Sequence, residues 1–533
     1  MKKLFALLLS FIMVILLAAP AVAYTEPNAK PTDPIIYIHG AFYGIVDEDG
    51  NSVTDPSYDT SALKDDLLSV APDLTLGFLT GDFTNYNDKL AVILNRVYDR
   101  FQYDENGEPK YGSVPARNRT LDYSTEDNKV EKDGTFGLEV YNFFYDYRQS
   151  PLKSADYLNE YINAVLQATG KQKVSIVGRC YGGAQMTAYL AKYGTDKVKA
   201  AIYDETTIFG GEVSADLFTG NVNITPESLT RFLDSYQAIN MSDMLGQYYQ
   251  VLSSALALMN SLEATGAITG IVKDVLWEKF AKSVGATFVR CSYGTFPTYW
   301  SAVSAQDYDT AISNVFGEEG SKYREQYKGL IEKLDAYHNE ISVNLKDILL
   351  KVKENTNIYV IAKYGATSLP YFNNPDALTD SFVSLKNASF GATCAQIGET
   401  LSSAYLESTN AKYVSVDKMV DASTCLFPDN TWFLKGTNHD DAYTYEKAIM
   451  IMAASNDEQV TVETYEEFPQ FVAKTGDDSF EVMTEENMNC EEYADVNLNN
   501  TTNMGKYERL FTIIKNLIKF VINFFKTIIS VVK

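Results

Sequence analysis

Histidine is nearly absent from this sequence. Three occur in 533 residues, His39, His338 and His439, so any chemistry that needs an imidazole base has few residues to choose from. Positive charge is also short. Forty-five Lys and Arg against 70 Asp and Glu leave a formal net charge of −25, which argues against nucleic acid as a partner because a polyanion is repelled. Cysteine is limited to Cys180, Cys291, Cys394, Cys425 and Cys490, an odd number. If the last four pair with one another, Cys180 is the thiol left over. No cluster of His, Cys, Asp and Glu stands at metal-ligand spacing, so neither a metal nor an organic cofactor is implied.

What is present is enough apolar material for a large core, with 46% hydrophobic residues and 37 tyrosines. The opening "MKKLFALLLSFIMVILLAAPAVA" combines a basic start, a long apolar run and a small-residue ending, the pattern of a secretory signal peptide over residues 1–23. The mature chain is therefore expected outside the cytosol. Its length exceeds one minimal core and calls for an insertion or a second domain.

Strands and helices alternate along the first half. "PIIYIHGAF" (34–42) and "TFGLEVYNFFYDYR" read as strands, the latter leading into the amphipathic helix "SADYLNEYINAVLQATG". "KVSIVGRCYGG" (173–183), the helix "AQMTAYLAKYG" and the strand "VKAAIYDET" follow, predicting βαβ units and a parallel sheet over residues 24–205. The strand pattern fades from 206 to 355, where helical periodicity predicts an inserted cap, and returns with "NIYVIAKYG" (357–365) and "NTWFLKG" (430–436), a second core segment over 356–470. An acidic linker is expected at 471–505. The segment 506–533 carries a polar, lysine-bearing arc of about 120° on an otherwise Leu, Ile, Val and Phe helix. Lysines within its apolar stretch favour a helix lying on a membrane or lipid surface over one that spans it, with docking on the chain's own core or self-association as the alternatives.

Gly178 and Gly182 flank Cys180 at two residues on either side, between a strand and a helix. That is the spacing of a nucleophile elbow, where small neighbours let backbones pass closely. A cysteine there is a nucleophile once a histidine takes its proton, or else a small buried hydrophobe in a protein that only binds. His439, in "FLKGTNHDDAY" after the last core strand, occupies the place of the base in the chain order nucleophile first, histidine last. Asp380 and Asp417 both qualify as the acid, with Asp421 a weaker third.

Together "YIHGAF", "YDYRQSP", "VGRCYGG", "TTIFGG", "FPTYWSAV" and "GTNH" resemble the landmarks of the lecithin:cholesterol acyltransferase and lysosomal phospholipase family of α/β-hydrolases. The resemblance implies an α/β-hydrolase fold, a mainly parallel sheet flanked by helices with an inserted helical cap. It further implies Cys180 as nucleophile, His439 as base and an oxyanion hole from the backbone amides of Ala41 and Tyr181. "DSFVSLKNAS" resembles the family's acid motif better than "DKMVDASTC", which selects Asp380 with Asp417 as runner-up. The departure is cysteine for serine at the elbow, a substitution also seen in dienelactone hydrolases and polyhydroxyalkanoate synthases, which look similar there. The expected function is cleavage or transfer of an acyl group by a secreted, lipid-associated enzyme, with a non-catalytic lipid-binding protein as the alternative.

Overall fold

The computed structural model describes residues 31–41, 43–47, 49–53, 66, 69–112, 114–115, 132–133, 140–223, 270–409, 411–455, 458–476 and 478–488. The expected signal peptide and the C-terminal amphipathic helix lie outside these residues.

A nine-stranded sheet forms the centre. In chain order its strands are β1 (Ile35–Ile38), β2 (Lys132–Asp133), β3 (Val140–Phe143), β4 (Val174–Arg179), β5 (Val198–Asp204), β6 (Asn357–Tyr364), β7 (Thr431–Lys435), β8 (Phe471–Lys474) and β9 (Phe480–Val482). They lie side by side as β9-β8-β7-β6-β5-β4-β1-β3-β2. Pairing is parallel from β3 across to β8, and only the two edge strands run antiparallel. Because side chains alternate across a pleated strand, both faces of this sheet are apolar. Ile36 and Ile38 of β1 and Val174 and Ile176 of β4 enter one core cluster, whereas Ile35, Tyr37 and Val177 enter the other. Such two-sided burial is what a parallel sheet covered by helices requires.

One layer is built by α1 (Pro151–Thr169) and α2 (Gly182–Tyr193). Pro151 opens α1, Gly170 ends it in the left-handed conformation at φ 67°, and Ala155, Leu158, Ile162 and Val165 face inward at helical spacing. The other layer is α3 (Thr444–Ser455), whose Ala448, Ile449, Met452 and Ala453 cover β4, β5 and β6.

Between β5 and β6 the described residues are largely helical, as the periodicity predicts, and include Glu212–Thr219, Gly270–Arg290, Tyr308–Phe316 and Lys328–Tyr337. Two boundaries differ from expectation. The helix Leu345–Lys353 packs on α2 and β6 and so serves as the crossover helix of the core. Residues from 471 onward supply β8 and β9 instead of opening a linker: Phe471, Val472 and Ala473 pair in parallel with Phe433, Leu434 and Lys435. Acidic residues around them mask a short apolar strand whose pairing partner lies far back in sequence. The cap also draws on an unexpected source. The helices Ala71–Thr80 and Thr84–Val97, between β1 and β3, place Phe78, Phe83 and Tyr86 against Phe280.

The "YDYR" stretch anchors this junction. Asp146 and Arg148 form a buried pair at 2.8 Å, Tyr103 donates to Asp146 at 2.7 Å, and the guanidinium lies 4.9 Å from the Tyr103 ring centre. No disulfide joins the described cysteines: Cys180, Cys291, Cys394 and Cys425 are free thiols, and Cys490 lies outside the described residues. The pairing considered for the last four is therefore not realised among Cys291, Cys394 and Cys425.

Candidate active site

Cys180 sits at the C-terminal end of β4, immediately before α2, with φ at 52°. A non-glycine residue in this left-handed region is strained, and strain of that kind concentrates where a side chain must be presented at a sharp turn. The flanking glycines are required by close approach. A methyl at Gly178 would stand 2.9 Å from the Cα of Gly183, and one at Gly182 would run into the backbone carbonyl of Ile38 in β1. The Cys180 amide donates to the carbonyl of Asp204 at 3.1 Å, which fastens the turn to the end of β5.

His439 follows β7 and is buried, and its Nδ1 lies 2.8 Å from Oδ2 of Asp380. Since an ionised carboxylate only accepts, Nδ1 carries the proton of the neutral ring and Nε2 is the basic nitrogen. Nε2 is buried without a hydrogen-bond partner, and His439 and Cys180 line the same cavity. Asp380, in the loop after β6, is fully buried and doubly fixed. Its Oδ1 accepts the amides of Phe382 at 3.0 Å and Val383 at 2.8 Å, and its carbonyl accepts the His439 amide at 2.8 Å. Ser381 beside it is held at φ 95°, the local strain of that turn. Burial alone would push the imidazole down, but Asp380 above all, then the Cys180 sulfur and Glu205, raise it well above the ordinary histidine value.

The structure separates the two candidate acids. Asp417 pairs with Lys435 at 2.9 Å and accepts from Ser415 at 2.5 Å, and Asp421 caps Ser423 and accepts from Tyr405. Neither approaches His439, so the runner-up acid is corrected in favour of Asp380. Of the other histidines, His39 turns its Nε2 to Asn142 at 2.8 Å, and His338 stacks on Tyr308 in the cap.

With a parallel sheet, a strained strand-to-helix turn and an Asp–His pair on loops after successive strands in view, the family comparison is decisive. The family model for the alpha/beta hydrolase fold matches residues 126–471. The chain belongs to the alpha/beta-hydrolase family. No curated protein matches it.

In this hydrolase the cavity over Cys180 measures about 220 Å³. Ala41 and Tyr181 line it together with His39 and Gly40, while Val213, Leu217, Phe218, Tyr293, Tyr299 and Phe382 make its far wall apolar. Three of those tyrosines form a ladder, Tyr181 to Tyr299 at 4.6 Å and Tyr299 to Tyr293 at 5.2 Å between ring centres, both stacked. The cap thus lines one side of the site with aromatic carbon, a surface that suits an apolar group better than a charged one, while Arg179, Ser214 and Asp440 add polar groups to the lining.

Sequence reasoning missed the charged groups beneath the site. Arg179, the residue before the nucleophile candidate, binds Glu205 at 2.7 Å, and Lys363 binds both Glu205 and Glu446 at 2.8 Å. Charge within an otherwise apolar strand, as in "VIAKYG" and "IVGRC", was the available signal. One oxygen of Glu205, one of Asp380 and one ring nitrogen of His439 lie within 4.8 Å of one another, the only such convergence among the described residues. Each is already committed to an ion pair or hydrogen bond, so no metal is assigned there.

Proposed function

We propose that this hydrolase cleaves or transfers the acyl group of an ester through a thioester on Cys180, in the manner implied by its resemblance to the lecithin:cholesterol acyltransferase and lysosomal phospholipase family. The observation that carries the reading is the buried His439 hydrogen-bonded to Asp380 with Nε2 unpartnered, on the wall it shares with a strained Cys180.

In this reading Nε2 of His439 takes the thiol proton as sulfur attacks the acyl carbon, and the oxyanion is held by the amides of Ala41 and Tyr181. The carbon–oxygen bond to the alcohol then breaks, and the alcohol leaves with the proton held on Nε2. Water, or a second alcohol, attacks the thioester with its proton passing to His439, and the thiol is restored as the acyl product departs. Asp380 keeps the imidazole in the tautomer that presents Nε2. The apolar wall from the cap takes the acyl chain, and every group used belongs to the protein.

Intact-protein mass spectrometry after brief mixing with an activated acyl ester, followed by peptide mapping, tests the mechanism. An acyl adduct on Cys180 that is lost in His439→Ala supports it. No adduct with either short or long acyl chains would sink it in favour of a protein that binds lipid without turnover. Product analysis with and without an added alcohol separates transfer from hydrolysis.

Secretion and lipid contact belong to the same proposal and rest on the terminal sequences. A chain lacking 506–533 is expected to lose binding to anionic phospholipid vesicles, and unchanged binding would remove the membrane assignment.

A further inference from the structure

Directly behind the Asp380–His439 pair lies a fully buried set of ions. Glu205, the residue after β5, is 0% exposed and is held at φ 44°, again left-handed for a residue with a side chain. Its amide donates to Ile361 of β6 at 2.9 Å, and its two oxygens are divided between Arg179 Nε at 2.7 Å and Lys363 Nζ at 2.8 Å. Arg179 in turn grips the base's loop: Nη2 donates to the carbonyls of His439 at 2.6 Å and Asp441 at 3.2 Å. Lys363 also donates to the Asp441 carbonyl, at 2.7 Å.

We infer that Glu205, clamped by Arg179 and Lys363, is a positioning residue that acts through His439: a second carboxylate beside Asp380 that favours the protonated imidazole when sulfur gives up its proton. The inference rests on the Cys180–His439 chemistry proposed above.

Three observations carry it. First, a Glu205 oxygen lies within 4.8 Å of a ring nitrogen of His439 and of an Asp380 oxygen, and both carboxylates are 0% exposed, so water screens them little. Second, the strained backbone at Glu205 has to be supported by its surroundings, and two strands hold it there, β4 through Arg179 and β6 through the Ile361 carbonyl and Lys363. Third, the charges close. Glu205 and Glu446 balance Arg179 and Lys363, while burial and then the neighbouring Glu446 and Glu205 push the Asp204 carboxyl well above its usual range. The other charged or titratable groups around His439 are Asp380, Cys180, Asp440, which lines the same cavity, and, behind Asp380, Glu212. A serine hydrolase needs the imidazolium only in passing. A cysteine nucleophile gains more from it, because a thiolate is a stable partner for that cation.

The test is the pH dependence of Cys180 alkylation by iodoacetamide in the full chain, followed by peptide mapping. Cys291 and Cys425 are buried, and mapping separates Cys394. Glu205 stands beside the imidazole, so removing its charge weakens the imidazolium and depopulates the thiolate–imidazolium pair. Glu205→Gln should therefore lower the rate of Cys180 alkylation on the neutral plateau of the pH profile about tenfold for each pH unit taken from the imidazole, whereas a merely structural role would lower the amount of folded protein without changing the rate of what remains folded. Should Glu205→Gln not fold, Glu205→Asp keeps the charge but withdraws it by one methylene, and a smaller loss is expected. An unchanged plateau in the folded variant overturns the role of Glu205 and leaves the Cys180–His439 pair standing. Alkylation of the unsubstituted chain that ignores His439→Ala overturns the pair itself, and Glu205 with it.

Discussion

Replacing Gly40 with alanine probes the most demanding distance in the proposed site. Gly40 lies in the His-Gly loop after β1, and a methyl built on it stands 2.7 Å from Cβ of Cys180, 3.2 Å from the Arg179 carbonyl and 3.3 Å from Cys180 Sγ. Ordinary contact begins near 3.4 Å, so the loop and the elbow must part by about 0.7 Å. The elbow has little room to yield, because Gly178 and Gly182 already pack backbone on backbone against α2 and β1. The displacement therefore falls on the loop that carries the Ala41 amide. An oxyanion donor works at about 2.7–3.1 Å, and losing one costs roughly 10²–10³ in rate. Overpacking should cost stability only about 1–3 kcal/mol. The assay is the rate of acyl-adduct formation on Cys180 by rapid quench and mass spectrometry, read beside thermal unfolding. Gly170→Ala is the control: it is strained at φ 67°, but with open space around it and at the far end of α1. It should lower stability by about 1 kcal/mol and leave acylation intact. Acylation of Gly40→Ala at the unsubstituted rate, with folding preserved, would refute the placement of the oxyanion loop.

Asp380→Asn should reduce acylation roughly 10³–10⁴-fold by presenting the wrong imidazole tautomer, while Asp417→Asn, which disturbs the contacts to Lys435, Ser415 and the Met419 amide away from His439, should change it by less than about threefold; equal losses would reverse the assignment of the acid. Arg148→Met leaves Asp146 buried without its cation and should cost about 3–5 kcal/mol in urea unfolding, with acylation by the remaining folded protein unaltered. The pH dependence of stability has a defined sign. His439 and Asp204 bind protons more tightly folded than unfolded, so their contribution is complete below the ordinary values of about 6.5 and 3.9 and is lost as pH rises through the raised folded values. Asp204→Asn, which imitates the protonated acid, should flatten the decline in denaturation midpoint on the alkaline side, and a steeper decline would contradict the upward shift of Asp204.

Much of this architecture was legible along the chain because its signals are local. "KVSIVG" and "NIYVIAKY" are apolar on both faces, which only a strand between two layers can use, and Gly170 ends a helix whose inward face repeats at helical spacing. The elbow was legible for the same reason: Gly178, Cys180 and Gly182 meet a constraint that spans five residues. The edge strands β8 and β9 were not, because a short strand in acidic surroundings is decided by the partner it finds. Nor was the contribution of Ala71–Val97 to the cap, since Phe78 and Phe83 gain their purpose only from Phe280, about two hundred residues away.

By itself the sequence determined the alpha/beta-hydrolase fold, the elbow and the loop of the candidate base, and narrowed the acid to Asp380, Asp417 or Asp421, because each follows from residue type and order within a few turns of chain. Only the tertiary structure decided which aspartate meets His439, that Nε2 is the nitrogen left unpartnered, and that Arg179, Glu205, Lys363 and Glu446 form one ionic set beneath the site. Those outcomes depend on side chains brought together from β4, β5, β6 and α3, and a buried charge is acceptable there only because its partners arrive from other strands.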